Sequence, residues 1–313
     1  MKVLIADKLA QEGIDLLTRA GYQVDAIYDH SEQELIDMIG AYDALIVRSA
    51  TTATADVIKA GTKLKVIGRA GVGVDNIDLA QASDQGIIVC NAPASNVVSA
   101  AEQTMALMLA AARHTAEASA SMHAGKWDRG KFSGVELYDK TLAIIGTGRV
   151  GGLVAERAKA FGMTLIGYDP YCPADKAAAM GIRLYDNLSE LLPLADFITV
   201  HMPLTDETRG MLSAEQFSQM KDGAIVLNVA RGGIVDLEAL AAAIKSGKVY
   251  ACGIDVWEHE PVESSPLHEL PSAVLTPHLG ASTKEAQTRA ATQIAQFVMD
   301  GLAGKPVATQ VNK

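Results

Sequence analysis

A glycine-rich turn carries the clearest chemical signal in the sequence. Gly146, Gly148 and Gly151 form a Gly-x-Gly-x-x-Gly pattern directly after a β-type run and at the start of a helical one. In such a pattern the first glycine permits a tight turn, the second lets the backbone approach a pyrophosphate, and the third lets helix and strand pack closely. The next predicted strand ends at Asp169, 18 residues after Gly151, where a carboxylate can bind an adenosine ribose and repel a 2′-phosphate. The spacing predicts a site that prefers NAD to NADP; a glycine turn without a ligand is the alternative.

Three charged or titratable side chains follow later strands of the same series. Arg231 comes just after one buried run, Glu260 follows the next, and His278 follows the last. Because ligands bind at the carboxyl ends of strands in doubly wound sheets, these side chains are expected at one edge. Together they would supply an anion clamp, a carboxylate partner and an acid/base. Singly, Arg231 could form a surface ion pair, Glu260 a helix cap or a solvated acid, and His278 a hydrogen-bonded loop residue.

Short β-branched runs alternate with amphipathic helical stretches, which is typical of mostly parallel sheets with helices on both faces. A first series of predicted strands comprises Lys2–Asp7, Tyr22–Tyr28, Asp43–Ser49, Leu64–Gly71 and Ile87–Ala92. A second series comprises Thr141–Gly146, Thr164–Asp169, Phe197–His201, Ala224–Ala230, Tyr250–Val256 and Ala273–His278. One long alanine-rich helix is expected between the two series, at Asn96–Gly125, and a last helix at Thr283–Met299.

These elements predict an α/β protein with two doubly wound, Rossmann-like parallel-sheet domains. Since the last helix lies beyond the second series, it could return to pack on the first domain. The expected substrate domain therefore comprises residues 1–98 and 285–313, and the nucleotide-binding domain, residues 99–284, is inserted into it.

Composition excludes several classes of protein. With 313 residues, 49% of them hydrophobic and 20% charged, the chain can bury the cores of two domains. The net charge of −10 argues against nucleic-acid binding, and no run is apolar enough to predict a membrane span or a signal peptide. The three cysteines, Cys90, Cys172 and Cys252, are too few and too far apart for a disulfide framework or a zinc site, so a cytoplasmic protein without a metal is expected.

The sequence resembles the D-isomer-specific 2-hydroxyacid dehydrogenase family over essentially its whole length. The segments that carry the resemblance are Ile46–Thr51, Gly68–Asp78, Gly125–Arg129, Gly167–Pro170, Asp196–His201, Ala230–Asp236 and His278–Thr283. The same fold, with one domain inserted into the other, is what the family implies. Within the family the sequence is most similar to the members that act on D-3-phosphoglycerate.

The resemblance implies a role for each matching residue. His278 would be the acid/base, Glu260 would hold its imidazole and favour the protonated form, and Arg231 would clamp the substrate carboxylate. Residues implied at the NAD cofactor are Gly146, Gly148, Arg149, Val150, Gly151, Asp169, Met202, Thr208, Val229, Ala230, Asp255, Gly280 and Ala281. At the substrate carboxylate the resemblance implies the loop of Ala70, Gly71, Val72 and Gly73. Arg48 and Arg69 stand at the ends of neighbouring predicted strands of the first domain and are expected, with Ser49, at the substrate, where the two arginines would hold its phosphate. Each arginine could instead cap its strand or pair with a local acid such as Asp75.

The leading expectation is NAD-dependent oxidation of D-3-phosphoglycerate. Reduction of glyoxylate or hydroxypyruvate, a D-lactate-type reaction and oxidation of a sulfonated hydroxyacid are alternatives, as is an NAD-sensing corepressor without enzymatic activity. A homodimer joined through the nucleotide-binding domain is expected, because Met105, Leu107, Met108 and Leu109 make the long helix apolar around much of its circumference. Burial of that helix within one subunit is the alternative. Larger relatives carry a serine-binding regulatory domain that is not expected here, and Val72 lacks the hydroxyl that relatives can direct at the cofactor.

Overall fold

The computed structural model describes residues 1–312 and contains two compact units. The first unit comprises Met1–Val97 together with the chain from Ala281 onwards, and the second comprises Val98–Gly280. The chain thus leaves the first unit one residue earlier, and returns to it four residues earlier, than the boundaries expected from the sequence. Within residues 1–312, no helix combines the length and apolarity needed to cross a bilayer.

The first unit is built on a five-stranded parallel sheet with the order β2-β1-β3-β4-β5. Its strands are β1 (Lys2–Ile5), β2 (Gln23–Ala26), β3 (Ala44–Val47), β4 (Val66–Arg69) and β5 (Ile88–Asn91). Its helices are α1 (Gln11–Arg19), α2 (Glu32–Ile39), α3 (Ala55–Ala60), α4 (Leu79–Asp84) and α12 (Lys284–Leu302). The central strand β3 is buried along its whole length, as expected where helices cover both faces of a parallel sheet.

Glycines let the returning helix α12 approach this unit closely. A Cβ atom at Gly68 in β4 would lie 2.6 Å from Cγ2 of Val298, and one at Gly13 in α1 would lie 2.7 Å from the Ala291 carbonyl oxygen. Both distances are too short for a real side chain, so the two glycines permit this packing. Thr283 caps α12, because its hydroxyl accepts a hydrogen bond from the Ala286 amide.

The second unit is built on a seven-stranded parallel sheet with the order β12-β11-β10-β9-β6-β7-β8. Its strands are β6 (Thr141–Ile145), β7 (Thr164–Tyr168), β8 (Arg183–Leu184), β9 (Phe197–Val200), β10 (Ala224–Asn228), β11 (Val249–Ile254) and β12 (Ala273–Leu275). Its helices are α5 (Val97–Arg113), α6 (Thr115–His123), α7 (Arg149–Ala160), α8 (Ala174–Ala179), α9 (Leu188–Leu191), α10 (Ala214–Gln219) and α11 (Leu237–Lys245), with short 3₁₀ turns at Arg129–Lys131 and Leu192–Leu194. The strand order reverses between β6 and β9, and such a switch point is where doubly wound sheets bind ligands.

The expectation of one long helix over Asn96–Gly125 is wrong. The chain forms α5 and α6 with a break at His114, which takes the left-handed conformation with φ of 51°. The His114 imidazole contacts Glu117 through Nδ1 and the Tyr250 hydroxyl through Nε2. These contacts fix the break, and Tyr250 is 136 residues away in the sequence. The sequence prediction also missed the two-residue edge strand β8.

Candidate active site and dinucleotide site

The glycine turn of the second unit lies at the switch point of its sheet. Gly146 follows β6 with φ of 93°, and a Cβ atom there would lie 2.7 Å from the His201 carbonyl oxygen. A Cβ atom at Gly151 would collide with the Gly146 carbonyl oxygen. A Cβ atom at Gly148, by contrast, would have no neighbouring atom within 4 Å. Gly148 also precedes α7 and brings no side chain to cap its first amides. The turn thus leaves room and backbone donors for a pyrophosphate at the start of a 12-residue helix, which fits a dinucleotide.

Asp169 follows β7 and is fixed beside this turn. Its Oδ2 accepts hydrogen bonds from the amide of Thr147 at 2.8 Å and from the Thr147 hydroxyl at 3.0 Å. Its Oδ1 accepts one from the Tyr171 amide at 3.0 Å. Three donors therefore hold the carboxylate against the glycine turn, where a ribose is recognised in folds of this type.

His278 and Glu260 form a direct pair. His278 Nδ1 lies 2.7 Å from Glu260 Oε2, and the two side chains are 45% and 37% exposed, so both are open to a small molecule. The other carboxylate oxygen of Glu260 accepts a hydrogen bond from the Trp257 amide at 3.1 Å. His278 has φ of 55°, and its own amide donates to the carbonyl oxygens of Asp255 and Thr276. The left-handed conformation of a non-glycine residue is thus held by its surroundings, as is common at functional sites.

Asp255 shapes the loop that carries His278. The residue is fully buried, and its Oδ1 accepts hydrogen bonds from the Thr276 hydroxyl at 2.6 Å and the Leu279 amide at 2.7 Å. Its Oδ2 accepts one from the Gly280 amide at 2.8 Å. The carboxylate that the family resemblance assigned to the cofactor is therefore occupied by groups of its own chain.

Arg231 follows β10 on a turn that Asn228 fixes. The Asn228 side chain donates to the Arg231 carbonyl at 2.8 Å and accepts from the Ala230 amide at 3.0 Å. The Arg231 guanidinium donates to the Ala230 carbonyl at 2.8 Å. Gly232 packs so closely on the Trp257 carbonyl that a Cβ atom there would collide with it. The segments carrying Arg231, Glu260 and His278 follow the adjacent strands β10, β11 and β12, so the structure brings them to one edge of the sheet.

The remaining cofactor residues are mostly buried. Met202, Thr208 and Val229 are no more than 8% exposed, and the Thr208 hydroxyl donates to the Pro203 carbonyl at 2.7 Å. Arg149 and Val150 begin α7, and Ala230 precedes Arg231. A Cβ atom at Gly280 would lie 3.2 Å from both Asp255 and Val229, whereas Ala281 belongs to the first unit.

The proposed substrate residues all lie in the first unit. Arg48 and Ser49 follow β3, and Arg69 ends the neighbouring strand β4, where its register partner is Val47. The Arg48 guanidinium donates to the Lys8 carbonyl at 3.1 Å.

The loop after Arg69, residues 70–73, is tied down at several points. The Ala70 amide donates to the Val47 carbonyl, and the Asn91 side chain donates to the Val72 carbonyl at 2.6 Å. Gly71 lies against the Arg69 guanidinium, where a Cβ atom would collide. The loop therefore has a defined shape at the strand ends.

Sequence reasoning did not single out four residues that the structure places at these sites: Thr147, His201, Asn228 and Trp257. His201 follows β9 at the switch point, with Nε2 2.9 Å from the Thr199 hydroxyl and Nδ1 buried without a protein partner. Burial lowers the pKa of His201 to about 4, so the imidazole is neutral at physiological pH. Each of the four lies within three residues of a strand end, and His201 also ends one of the segments that carry the family resemblance.

The second unit is a Rossmann-type dinucleotide-binding domain with a histidine–carboxylate pair and an arginine at its carboxyl edge. Residues 105–280 match the family model described as the NAD binding domain of D-isomer specific 2-hydroxyacid dehydrogenases. The chain belongs to this family, and NAD(H) is its cofactor. The fold class and the family expected from the sequence are thereby confirmed.

Relatives are similar along the whole chain. A D-3-phosphoglycerate dehydrogenase of Methanocaldococcus jannaschii is 49% identical over 100% of this chain and 59% of its own length. One from Mycobacterium leprae is 50% identical over 99% of this chain and 58% of its own length. The chain thus spans somewhat more than half of these curated relatives. A crystal structure from Thermus thermophilus superposes with a TM-score of 0.92 at 34% identity, covering 99% of this chain and 100% of the other.

Proposed function

We propose that the protein oxidises D-3-phosphoglycerate to 3-phosphohydroxypyruvate with NAD, the reaction that begins serine biosynthesis. The observation that carries the chemistry is the 2.7 Å contact between His278 and Glu260 at the edge that also holds Arg231. The choice of substrate is supported by the relatives at 49% and 50% identity, which are named for it.

His278 is the base in the oxidation direction. Its Nδ1 is engaged by Glu260, so Nε2 is the atom that takes the hydroxyl proton of the substrate. Glu260 fixes the ring and the tautomer with a proton on Nδ1, and its negative charge stabilises the imidazolium that forms. Bound NAD supplies the acceptor for the hydride that leaves C2 as the C2–oxygen double bond forms. In the reverse direction Nε2 returns the proton to the carbonyl oxygen.

Arg231 holds the substrate carboxylate in this scheme. A guanidinium has five N–H donors in a planar fork that matches a carboxylate, and one of those of Arg231 already donates to Ala230. That internal bond orients the guanidinium, and Asn228 fixes the backbone turn that carries it, which lowers the entropy lost on binding. The fixed guanidinium also polarises the substrate carbonyl in the reductive direction.

The phosphate requires cationic partners other than Arg231, and we assign these to Arg48 and Arg69. Arg48→Ala or Arg69→Ala should raise the KM for 3-phosphoglycerate by about 10- to 100-fold, the usual cost of a lost charge-assisted hydrogen bond. The KM for unphosphorylated glycerate should stay unchanged. Steady-state kinetics of the two variants measure this, with Arg19→Ala as the matched control, since Arg19 is an exposed arginine of α1 in the same unit.

A panel of four hydroxyacids decides the substrate. Wild-type kcat/KM with NAD should be highest for 3-phosphoglycerate in a panel that also holds sulfolactate, glycerate and D-lactate. A preference for glycerate would reject the assignment of Arg48 and Arg69 to a charged group at the far end of the substrate. A preference for sulfolactate would keep Arg48 and Arg69 as anion ligands and replace the phosphate by a sulfonate.

We further propose a homodimer that forms through the second unit. The apolar circumference of α5 does not support this dimer, because Met105, Leu107 and Met108 are buried in the core of their own unit. The proposal is supported instead by exposed apolar side chains of the second unit: Val98 of α5, Met122 of α6, and Val135 and Tyr138 of the segment that follows, which are 36% to 65% exposed. Sedimentation velocity should show a dimer at micromolar concentration, and Met122→Asp should weaken it. A wild-type monomer under these conditions would contradict the proposal.

A cytoplasmic location is proposed as well. Support comes from the three free cysteines, of which Cys90 and Cys252 are buried. Burial raises the pKa of both thiols to about 12, so they remain protonated and unreactive at neutral pH.

A further inference from the structure

Trp257 lies between the segments that carry the three proposed catalytic residues. It follows β11 by three positions, is 7% exposed and packs in the core of the second unit. An edge of its indole meets the ring of His268 with the centroids 6.0 Å apart. A tryptophan here is thus rigidly packed, and its polar groups have fixed directions.

The backbone of Trp257 touches two of these segments. Its amide donates to Glu260 Oε1 at 3.1 Å, the carboxylate oxygen that does not contact His278. Its carbonyl oxygen lies against Gly232, next to Arg231, where no Cβ atom would fit. The position of Trp257 therefore affects both the carboxylate and the arginine turn.

The indole reaches the third segment. Its Nε1–H donates to the Thr276 carbonyl at 3.1 Å. The His278 amide donates to the same carbonyl oxygen, also at 3.1 Å. A single acceptor thus receives both the indole and the amide of the histidine, within the tight turn that places His278 in its left-handed conformation.

We propose that Trp257 is the positioning residue that sets the alignment of Glu260 with His278, an inference that rests on the proposed function. Its amide orients Glu260 from one side, and its indole fixes the turn under His278 from the other. Phenylalanine at this position would keep the amide bond and an aromatic ring but lose the indole donor and leave a small gap in the core, whereas benzothienylalanine would lose the donor alone. In this role the indole N–H holds the turn that aligns His278 with Glu260, and it acts without a contact to substrate or cofactor.

Trp257→Phe tests this inference. Loss of one hydrogen bond that acts on the transition state should lower kcat about three- to tenfold. The Kd for NADH, measured by fluorescence, and the KM for the substrate should be unchanged, because Trp257→Phe keeps the backbone carbonyl that packs on Gly232 beside Arg231 and removes only the indole bond to Thr276. Trp127→Phe is the matched control, since Trp127 is 80% exposed, and it should leave kcat unchanged.

A double variant shows whether Trp257 acts through the pair of Glu260 and His278. In a His278→Ala background no imidazole is left to align, so Trp257→Phe should leave the residual kcat unchanged. If the two losses multiply instead, Trp257 does not act through His278 and the inference is overturned. A kcat for Trp257→Phe equal to that of the wild type would overturn it as well.

Two further measurements keep the test decisive. Proton NMR of the protein without ligands should show a downfield resonance from the ring N–H of His278, which is assigned by its absence from His278→Ala. This resonance should move upfield in Trp257→Phe. A resonance that does not move contradicts the inference even if no substrate is turned over. If Trp257→Phe fails to fold, benzothienylalanine at position 257 keeps the bicyclic ring without the N–H and should give the same loss of kcat. Failure of the wild type on the whole hydroxyacid panel would reject the proposed function, separately from this result.

Discussion

Replacing His278 with alanine is expected to lower kcat by about 10² to 10⁴, the usual contribution of a positioned general acid/base. The substrate hydroxyl would then lose its proton only to water. The Kd for NADH should be unchanged, because the glycine turn and Asp169 belong to β6 and β7 at a different part of the sheet. Stopped-flow or steady-state kinetics and a NADH fluorescence titration measure both quantities.

His123→Ala is the matched control, since His123 ends α6 and is exposed. It should keep the wild-type kcat. A near-normal kcat in His278→Ala would remove His278 from the mechanism, whatever the control shows.

Glu260→Gln should act mainly on the pH dependence of kcat. The amide keeps an oxygen beside Nδ1 but removes the negative charge that stabilises the imidazolium. The pH profile of kcat for Glu260→Gln should therefore differ from that of the wild type. A pH profile identical to that of the wild type would show that the Glu260 charge does not act on His278.

The second large effect concerns the choice of cofactor. We expect kcat/KM with NAD to exceed that with NADP by about 100-fold or more, because a 2′-phosphate beside the Asp169 carboxylate costs several kcal/mol of like-charge repulsion. Thr147 and Tyr171 hold this carboxylate with three hydrogen bonds, so it cannot easily turn away. Asp169→Asn should lower the ratio of kcat/KM with NAD to kcat/KM with NADP, mostly because kcat/KM with NADP rises.

Asp175→Asn is the control for this experiment. Asp175 is an exposed carboxylate in the first turn of α8, shortly after Asp169 in the chain, and its removal should leave the ratio unchanged. Equal use of NAD and NADP by the wild type would contradict the role given to Asp169.

Local patterns in the sequence were sufficient to predict the strands and the glycine turn. Apolar β-branched runs between helical stretches predict parallel strands, and 11 of the 12 observed strands lie within or overlap the predicted runs. Arg231, Glu260 and His278 could be found because parallel strands end at one edge, so the position of a residue after a strand already indicates its place. The edge strand β8 was missed because two residues carry no periodicity.

Contacts between distant segments could not be predicted. The break at His114 depends on Tyr250, and the roles of Asp255 and Trp257 depend on hydrogen bonds to residues 276–280. The same limit explains the error about α5: an apolar circumference predicts burial but does not say whether the covering surface belongs to the same chain.

The fate of the hydrogen on C2 of the substrate tests most directly whether the protein is a D-2-hydroxyacid dehydrogenase. D-3-Phosphoglycerate deuterated at C2 is incubated with NAD and the protein, and the nicotinamide C4 position is examined by proton NMR. We expect one deuterium in the reduced cofactor for each 3-phosphohydroxypyruvate formed, no reaction with the L-isomer, and almost no reaction with His278→Ala. Reduced cofactor without deuterium, or no reduction of NAD by any D-2-hydroxyacid, would contradict the account.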